Sequence, residues 1–267
     1  MAVSDGFTMG AYADLLESIK DGGHEFITVR EYLASDDLPQ RFVVLRHDVD
    51  RRPGRAVRMA ELEADHGVRS TYYYRTSTFE PDRTRRLARL GHEVGYHYED
   101  YVATDGDLRA AHRRFAMNLQ RLRRGHSEPV QTICMHGNPL SPHDNRTMWT
   151  HPKAPDFETY SLLGEAYLSM DFVDVAYFSD TGRTWSDGPL KVKDHTMGEG
   201  EKEVNPATTD GLAALFREGE IERACLLAHP ERWVDSLPEL IAARSTDGAV
   251  NLVKRGMALF SYGAADS

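Results

Sequence analysis

Cysteine is scarce in this sequence: Cys134 and Cys225 are the only two among 267 residues. Two thiols are too few for a disulfide framework or for a zinc site built mainly from cysteines. Because both lie in apolar runs, we expect each to be a buried, structural thiol. The sequence therefore points away from small folds that depend on disulfides.

Long hydrophobic runs and an excess of basic charge are also missing. No apolar stretch approaches the roughly 20 residues that span a bilayer, and Met1–Gly10 lacks the basic and apolar regions of a secretory signal. The 42 acidic residues outnumber the 32 basic ones, and the net charge of −10 argues against a general nucleic-acid-binding protein. These absences predict a soluble cytoplasmic protein that binds neither membranes nor nucleic acid, and they leave its oligomeric state open.

Short apolar runs alternate along the chain with amphipathic stretches, which predicts strands separated by helices. The predicted strands are Phe42–Leu45, Ser70–Tyr74, Glu93–Tyr98, Val130–Met135, Phe172–Phe178 and Ala224–Ala228. The predicted helices begin after Thr8, at Pro53, at Pro81 and after Asp107, and cover Asp210–Glu218 and Leu237–Arg244, with a polar loop at 186–206. Such βα units predict one α/β domain over residues 1–267, either a closed or nearly closed βα barrel or an open doubly wound sheet.

Polar side chains follow nearly every predicted strand. In parallel βα architectures the carboxyl ends of the strands meet at one face, which is where active sites form. The ionisable residues at these ends that we expect to share one pocket are Asp48, Asp50, His97, His136, Asp180 and His229. No single member of the set is informative, but their common position at strand ends predicts a functional site.

Asp48 and Asp50 are separated by one residue, so in an extended segment both face the same side. Two carboxylates that close repel each other unless a cation or a shared proton lies between them. Carboxylate and imidazole ligands suit zinc, and also cobalt or nickel. The alternative is that the two aspartates cap the helix at Pro53 and that His97 is a structural histidine. Together with the other strand-end residues, however, they favour a metal site or an acid–base site.

Three segments resemble motifs of the polysaccharide deacetylases, carbohydrate esterase family 4. Arg46–Asp50 (RHDVD) resembles the first motif, in the variant whose paired aspartates are split by one residue. Gly91–His97 (GHEVGYH) resembles the second motif, and Leu226–His229 (LLAH) resembles the late Leu-x-His motif. The resemblance spans residues 40–232 with the family's order and spacing. It implies a distorted (β/α)7 barrel in a single domain, and metal-dependent removal of an N-acetyl group from an acetamido sugar or sugar conjugate.

The resemblance also implies roles for four residues. Asp48 matches the family's catalytic base, and His229 matches the late histidine that acts as general acid. Asp50 and His97 match two of the ligands of the family's divalent metal, for which we expect zinc, with cobalt or nickel as alternatives.

One position departs from the family pattern. The family's second metal histidine lies four residues after the first, where this sequence has Tyr101. We expect His136 to supply the missing ligand, with Glu99 as the alternative. A hydrolase of a cyclic amide or ureide that works without metal is also consistent with the departure, since the superfamily includes allantoinase-like members that lack this histidine.

Five further residues are predicted to contact the substrate, a carbohydrate or another small amide. They are Arg75, Asn138, Asp180, Arg183 and Trp185. Arg75 or Arg183 is alternatively expected to orient Asp48, and core packing explains Trp185 as well as sugar stacking does. An inactive barrel that only binds carbohydrate is a third possibility, although the presence of both a base and an acid argues against it.

Overall fold

A parallel sheet forms the centre of the computed structural model, which describes residues 6–126, 128–187, 191, 194, 204–236 and 239. Its strands are β1 (Glu25–Ile27), β2 (Phe42–Val49), β3 (Thr71–Tyr74), β4 (Glu93–Tyr98), β5 (Thr132–Met135), β6 (Gly164–Glu165), β7 (Ala176–Ser179) and β8 (Arg223–Ala228). Every pairing between these strands is parallel.

The strand order shows a barrel rather than a doubly wound sheet. It runs β6-β5-β4-β3-β2-β8-β7, with β1 beside β2. From β2 onward the strands therefore follow one another around a circle, and the last strand, β8, returns to pair with β2. A doubly wound sheet would instead reverse its order at a switch point. The predicted distorted (β/α) barrel is confirmed as a curled, open barrel.

Helices connect the strands largely where the sequence predicts them. They are α1 (Met9–Asp21), α2 (Val29–Ala34), α3 (Pro53–Asp65), α4 (Pro81–Arg89), α5 (Leu108–Gly125), α6 (Thr147–Thr150) and α7 (Thr209–Glu218), with 3₁₀ turns at Val102–Thr104, Phe157–Tyr160 and Pro230–Arg232. None of the described helices combines the length and the apolar character needed to cross a bilayer. Apart from Glu239, the helix predicted at 237–244 lies outside the described residues, as does most of the loop predicted at 186–206.

The side chains of β2 alternate between the two sides of the sheet. Val43 and Leu45 pack in an apolar cluster with residues of α1 and α7, and His47 extends the same row. Arg46 and Asp48 therefore face the opposite side, away from those two helices. This alternation places Arg46 and Asp48 inside the barrel, whereas Val43 and Leu45 pack against the helices outside it.

A buried carboxylate anchors α3 beneath β2. Glu63 is fully buried, and its Oε1 accepts a hydrogen bond from the Tyr12 hydroxyl at 2.5 Å and lies 2.7 Å from His47 Nε2. Its Oε2 accepts hydrogen bonds from the hydroxyls of Ser70 and Tyr72. Burial acts to raise the pKa of Glu63, but the imidazoles of His47 and His92 and the hydroxyl of Ser70 lower it to about 2. Glu63 is therefore a satisfied, ionised group that links α1, α3, β2 and β3.

Replacing this carboxylate is expected to destabilise the fold strongly. Glu63→Gln should lower the free energy of unfolding by about 3–5 kcal/mol, because His47 loses its buried charged partner. Glu61→Gln is the matched control on the same helix, since Glu61 pairs with Arg86 at the surface and should contribute below about 1 kcal/mol. Denaturant unfolding at pH 7 measures both losses, and similar values for the two variants would contradict the prediction.

The effect of Glu63→Gln should also depend on pH. The pKa of Glu63 is lower in the folded chain than the usual value of about 4.3. Its stabilising contribution is therefore complete above that usual value and is lost as the pH falls towards 2. Consequently, the stability difference between wild type and variant should shrink across this acidic window.

Candidate active site

Polar residues at the carboxyl ends of four strands meet on one face of the barrel. Asp48 lies in β2 and Asp50 directly follows that strand, whereas His97 lies near the end of β4. His136 is the first residue after β5, and His229 is the first residue after β8. Ala228 pairs with His47 in the sheet register, which places His229 beside Asp48. The sequence predicts that these side chains share one pocket, and the parallel strand topology brings the strand ends that carry them to one face.

Asp50, His97 and His136 form a compact set of ligand atoms. Oδ1 of Asp50 lies 3.4 Å from Nε2 of His97 and 3.4 Å from Nε2 of His136. One ligand atom from each residue lies within 4.8 Å of the others. Oδ1 of Asp50 is buried and accepts no hydrogen bond from the residues the structure describes. An orphaned carboxylate oxygen between two imidazole nitrogens fits a divalent cation.

Hydrogen bonding orients the ring of His97 for this role. Its Nδ1 lies 3.0 Å from the carbonyl oxygen of Cys134, an acceptor, so Nδ1 carries the hydrogen. The lone pair of Nε2 is then directed towards Asp50. The rings of His97 and His136 meet edge to face, with centroids 5.2 Å apart. A backbone acceptor behind a ligand histidine is a common feature of metal sites.

The pKa shifts of Asp50 and His136 match the charges that metal ligands need. Burial acts to raise the pKa of Asp50, but the imidazoles around it lower it well below its usual range. Burial lowers the pKa of His136 to about 4, so this ring is neutral at pH 7. Burial also acts to lower the pKa of His97, but Asp48 and Asp50 outweigh it and raise the value. Because protons and a cation compete for the imidazole nitrogens, the affinity of the site for a cation should fall as the pH falls.

A buried arginine that the sequence analysis did not assign holds Asp48. Arg46 is fully buried, and its Nη2 donates a hydrogen bond to Oδ2 of Asp48 at 3.2 Å. Its guanidinium also lies 4.3 Å from the centroid of the Tyr167 ring. The other oxygen of Asp48, Oδ1, is buried and accepts no hydrogen bond within the described part of the chain. The two-residue spacing of Arg46 and Asp48 on one strand is the signal that points to this pair.

His229 is held by a buried carboxylate. Its Nδ1 lies 2.6 Å from Oδ1 of Asp180, and its backbone N–H donates to Oδ2 of Asp180. Arg232 and the Trp233 indole donate to the same carboxylate, at 2.8 and 3.0 Å. Burial and Arg232 act to lower the pKa of His229, but Asp180 and Asp50 outweigh them and raise it to about 9. His229 is therefore an imidazolium at neutral pH.

Two of the predicted substrate contacts need correction. Asp180 is fully buried and its two oxygens already accept four hydrogen bonds, so it orients His229 and offers nothing to a substrate. Trp185 is fully buried against Phe7 and Trp233, and its indole donates to Thr209. Core packing, rather than sugar stacking, therefore explains Trp185.

The remaining predicted contacts lie at the edge of the site. Arg75 is half-buried and donates to Oε2 of Glu99 at 2.5 Å. Asn138 is half-buried in the loop after β5, and the guanidinium of Arg183 contacts the backbone carbonyl of Arg232. Neither Arg75 nor Arg183 makes the contact with Asp48 that the sequence suggested as an alternative, because Arg46 occupies that place.

Glu231 is a second residue that the sequence analysis missed. It follows His229 in the 3₁₀ turn Pro230–Arg232, and only 7% of its surface is exposed. Neither carboxylate oxygen accepts a hydrogen bond from the described residues, and Arg51 Nε lies 3.7 Å away. Burial and the nearby charge of Asp50 raise the pKa of Glu231. Glu231 thus adds a buried carboxyl group close to Asp50.

Both cysteines are buried and free, as expected. Cys134 Sγ lies 3.9 Å from Oδ2 of Asp48, and Asp48, His97 and Cys134 form a second compact group of potential ligands. Burial raises the pKa of the Cys134 thiol well above its usual value. Because a metal takes the thiolate form, Asp50, His97 and His136 are the better set.

No protein-family model and no curated protein matches this sequence. The similar solved structures include a pseudoenzyme of carbohydrate esterase family 4 from Bacillus anthracis, with 13% identity over 79% of this chain and 65% of that chain, and a TM-score of 0.42. A family 4 carbohydrate esterase from Bacillus anthracis has 13% identity over 92% of this chain and 86% of its own, with a TM-score of 0.38. Peptidoglycan deacetylase PdaC from Bacillus subtilis has 12% identity over 81% of this chain and 98% of its own, with a TM-score of 0.37. The chain thus spans about two thirds of the pseudoenzyme's length.

Proposed function

We propose that this protein is a metal-dependent hydrolase that removes an N-acetyl group from an acetamido sugar or sugar conjugate. The observation that carries the proposal is the convergence of Asp50, His97 and His136, whose ligand atoms lie within 4.8 Å of one another. The proposed base, Asp48, and the proposed acid, His229, lie at the same ends of neighbouring strands. The resemblance of the sequence motifs to polysaccharide deacetylases supports the choice of reaction and substrate class.

Asp50, His97 and His136 would hold the cation, for which a carboxylate and two imidazoles favour zinc, with cobalt or nickel as alternatives. When bound, such an ion polarises the acetamide carbonyl and lowers the pKa of water from about 15.7 towards 7. The family's second metal histidine lies four residues after the first, where this chain has Tyr101. We propose that His136 supplies this ligand instead. It reaches the site from β5, the neighbour of β4.

Asp48 is the proposed general base. Arg46 holds Oδ2, which leaves the orphaned Oδ1 to take a proton from the attacking water. The fixed guanidinium also holds the carboxylate in place. General base catalysis of this kind contributes about 10²–10⁴-fold.

His229 is the proposed general acid. Asp180 binds Nδ1, so Nε2 is the ring nitrogen that is free of this carboxylate and able to donate a proton to the leaving nitrogen. In the overall reaction water oxygen bonds to the acetyl carbon and the C–N bond breaks. Asp48 receives the proton of the water, and the leaving nitrogen receives the proton of His229. The products are acetate and a free amine.

The rest of the substrate would bind at the rim of this face. Asn138 and Arg183 are half-buried there and are the proposed contacts for sugar hydroxyls or for a charged substituent. Arg75 lies on the same face, but its guanidinium is already paired with Glu99. Asn138 is therefore a better candidate for direct contact than Arg75.

Metal analysis of the purified protein tests the proposal. After equilibration with zinc, wild type should carry close to one zinc per chain by elemental mass spectrometry, and His136→Ala should lose most of it. His66→Ala is the control, because His66 lies on the surface beside Glu17, and it should keep the wild-type zinc content. Wild type, but not His136→Ala, should release acetate from acetamido sugars.

Other results would select one of the alternatives. Zinc content that His136→Ala leaves unchanged would remove His136 from the ligand set. Protein without zinc that hydrolyses cyclic amides or ureides would replace the proposal with a metal-free hydrolase. Protein that binds sugars but hydrolyses none of these substrates would establish an inactive carbohydrate-binding barrel.

A further inference from the structure

Three residues form a row along the face that carries the candidate metal site. Arg75, Glu99 and His136 are each the first residue after a strand, and those strands, β3, β4 and β5, are neighbours in the sheet. Arg75 Nη2 donates to Oε2 of Glu99 at 2.5 Å, and the same oxygen lies 3.5 Å from Nδ1 of His136. The strand register itself therefore builds a chain of arginine, carboxylate and imidazole.

His136 lies between two carboxylates that meet its two ring nitrogens. Nε2 faces Asp50 at 3.4 Å, whereas Nδ1 faces Glu99. Nδ1 is buried and has no hydrogen-bond partner among the described residues, and Oε2 of Glu99 lies 3.5 Å from it. A hydrogen on Nδ1 would point towards Glu99, and the lone pair of Nε2 would then point towards Asp50.

We propose that Glu99, held by Arg75, is a positioning residue that makes His136 a metal ligand. The inference rests on the proposed function, because it assumes that Asp50, His97 and His136 bind a divalent cation. The carboxylate selects the tautomer with hydrogen on Nδ1 and increases the basicity of Nε2, as the carboxylates behind ligand histidines do. Arg75 holds Glu99 on the Nδ1 side of the His136 ring, whereas Asp50 lies on the Nε2 side. Glu99 is therefore behind the ligand and is not itself one of the proposed ligands.

This arrangement differs from that of His97, whose Nδ1 faces a backbone carbonyl. A backbone carbonyl cannot be exchanged by mutation, whereas the described contacts of the His136 ring, to Asp50, Glu99 and His97, are all with side chains. His136 is also the more exposed of the two rings, with 17% of its side chain accessible against 2% for His97. His136 is therefore the ligand whose orientation most needs an added partner.

Metal affinity is the direct test. Glu99→Gln keeps the size of the side chain and removes its charge, and it should weaken the affinity for zinc by about 10- to 100-fold. Affinity is measured by chelator competition at pH 7, and the visible absorption of the cobalt form should change as well. Glu61→Gln, which removes the carboxylate of the surface pair with Arg86, should leave affinity and spectrum unchanged.

A double-mutant cycle distinguishes a positioning role from direct ligation. If Glu99 acts through His136, then Glu99→Gln should have no further effect on zinc affinity in a His136→Ala background. An equal, additive loss in that background would show that Glu99 binds the metal itself and would overturn the inference. Arg75→Met should weaken affinity in the same direction as Glu99→Gln.

The inference and the proposed function fail in different ways. If wild type binds neither zinc nor cobalt, the proposed function is wrong and the positioning role disappears with it. If wild type and Glu99→Gln bind zinc equally tightly, only the positioning role is wrong. Thermal unfolding of the metal-free proteins should give similar midpoints for wild type and Glu99→Gln, because the pair of Arg75 and Glu99 is partly exposed.

Discussion

Asp48→Asn is expected to reduce turnover of an acetamido sugar by at least about 10²–10⁴-fold while the protein keeps its zinc. The amide preserves the shape of the side chain but has no lone pair basic enough to take a proton from water. Because Asp48 is not one of the three proposed ligands, Asp50, His97 and His136, the variant should keep its zinc. Acetate release and zinc content, measured on the same sample, check the two halves of the prediction.

Two further variants make this result specific. Asp50→Asn should lose zinc and activity together, which separates a ligand from a base. Asp107→Asn changes an aspartate of the same size at the start of α5, where asparagine caps a helix equally well, and it should remain fully active. An Asp48→Asn protein that turns over at the wild-type rate would remove Asp48 from the reaction.

Local signals in the sequence predict much of the barrel. Thr8 and Asp107, after which helices are predicted, cap those helices by accepting hydrogen bonds from the backbone N–H groups of Ala11 and Ala110. Strand β4 spans the predicted Glu93–Tyr98. These elements are predictable because a cap, a proline or an apolar run acts within a few residues. Gly95 adds a constraint that only the fold shows, since a Cβ there would lie 2.3 Å from the Tyr73 ring.

The elements that the sequence analysis missed are short. β1 and β6 contain three and two residues, so neither gives a periodic pattern. The helix α2 has only six residues, but it begins with a capping box in which Thr28 and Glu31 bind each other's backbone N–H groups. The spacing of Thr28 and Glu31 is the one local signal that predicts this helix.

The candidate site was predictable where topology alone decides it. Strand ends in a parallel barrel must meet, so Asp50, His97 and His136 come together although many residues separate them in the chain. Burial and partner choice are different, because they depend on distant side chains. Asp180 resembled a substrate ligand until the structure placed Arg232 and Trp233 around it.

The second large effect is expected from the carboxylate behind the proposed acid. The pKa of His229 is raised to about 9, and Asp180 is the main group that raises it against burial and Arg232. In wild type, activity that needs the imidazolium should persist at neutral pH and decline only as the pH rises through about 9. In Asp180→Asn the pKa should fall to the usual value of about 6.5 or below, so activity at pH 8 should drop roughly 30-fold or more.

The direction of the shift separates this role from a general loss of structure. Asp180→Asn should move the alkaline limb of the pH–rate profile to lower pH, and lowering the assay pH should recover part of the activity. Arg232→Gln removes a positive charge beside the same imidazole and should move the limb in the opposite direction. NMR titration of His229 measures the pKa without relying on turnover. If both variants keep the wild-type alkaline limb while turnover falls, Asp180 stabilises the fold without tuning the acid, and another group must protonate the leaving nitrogen.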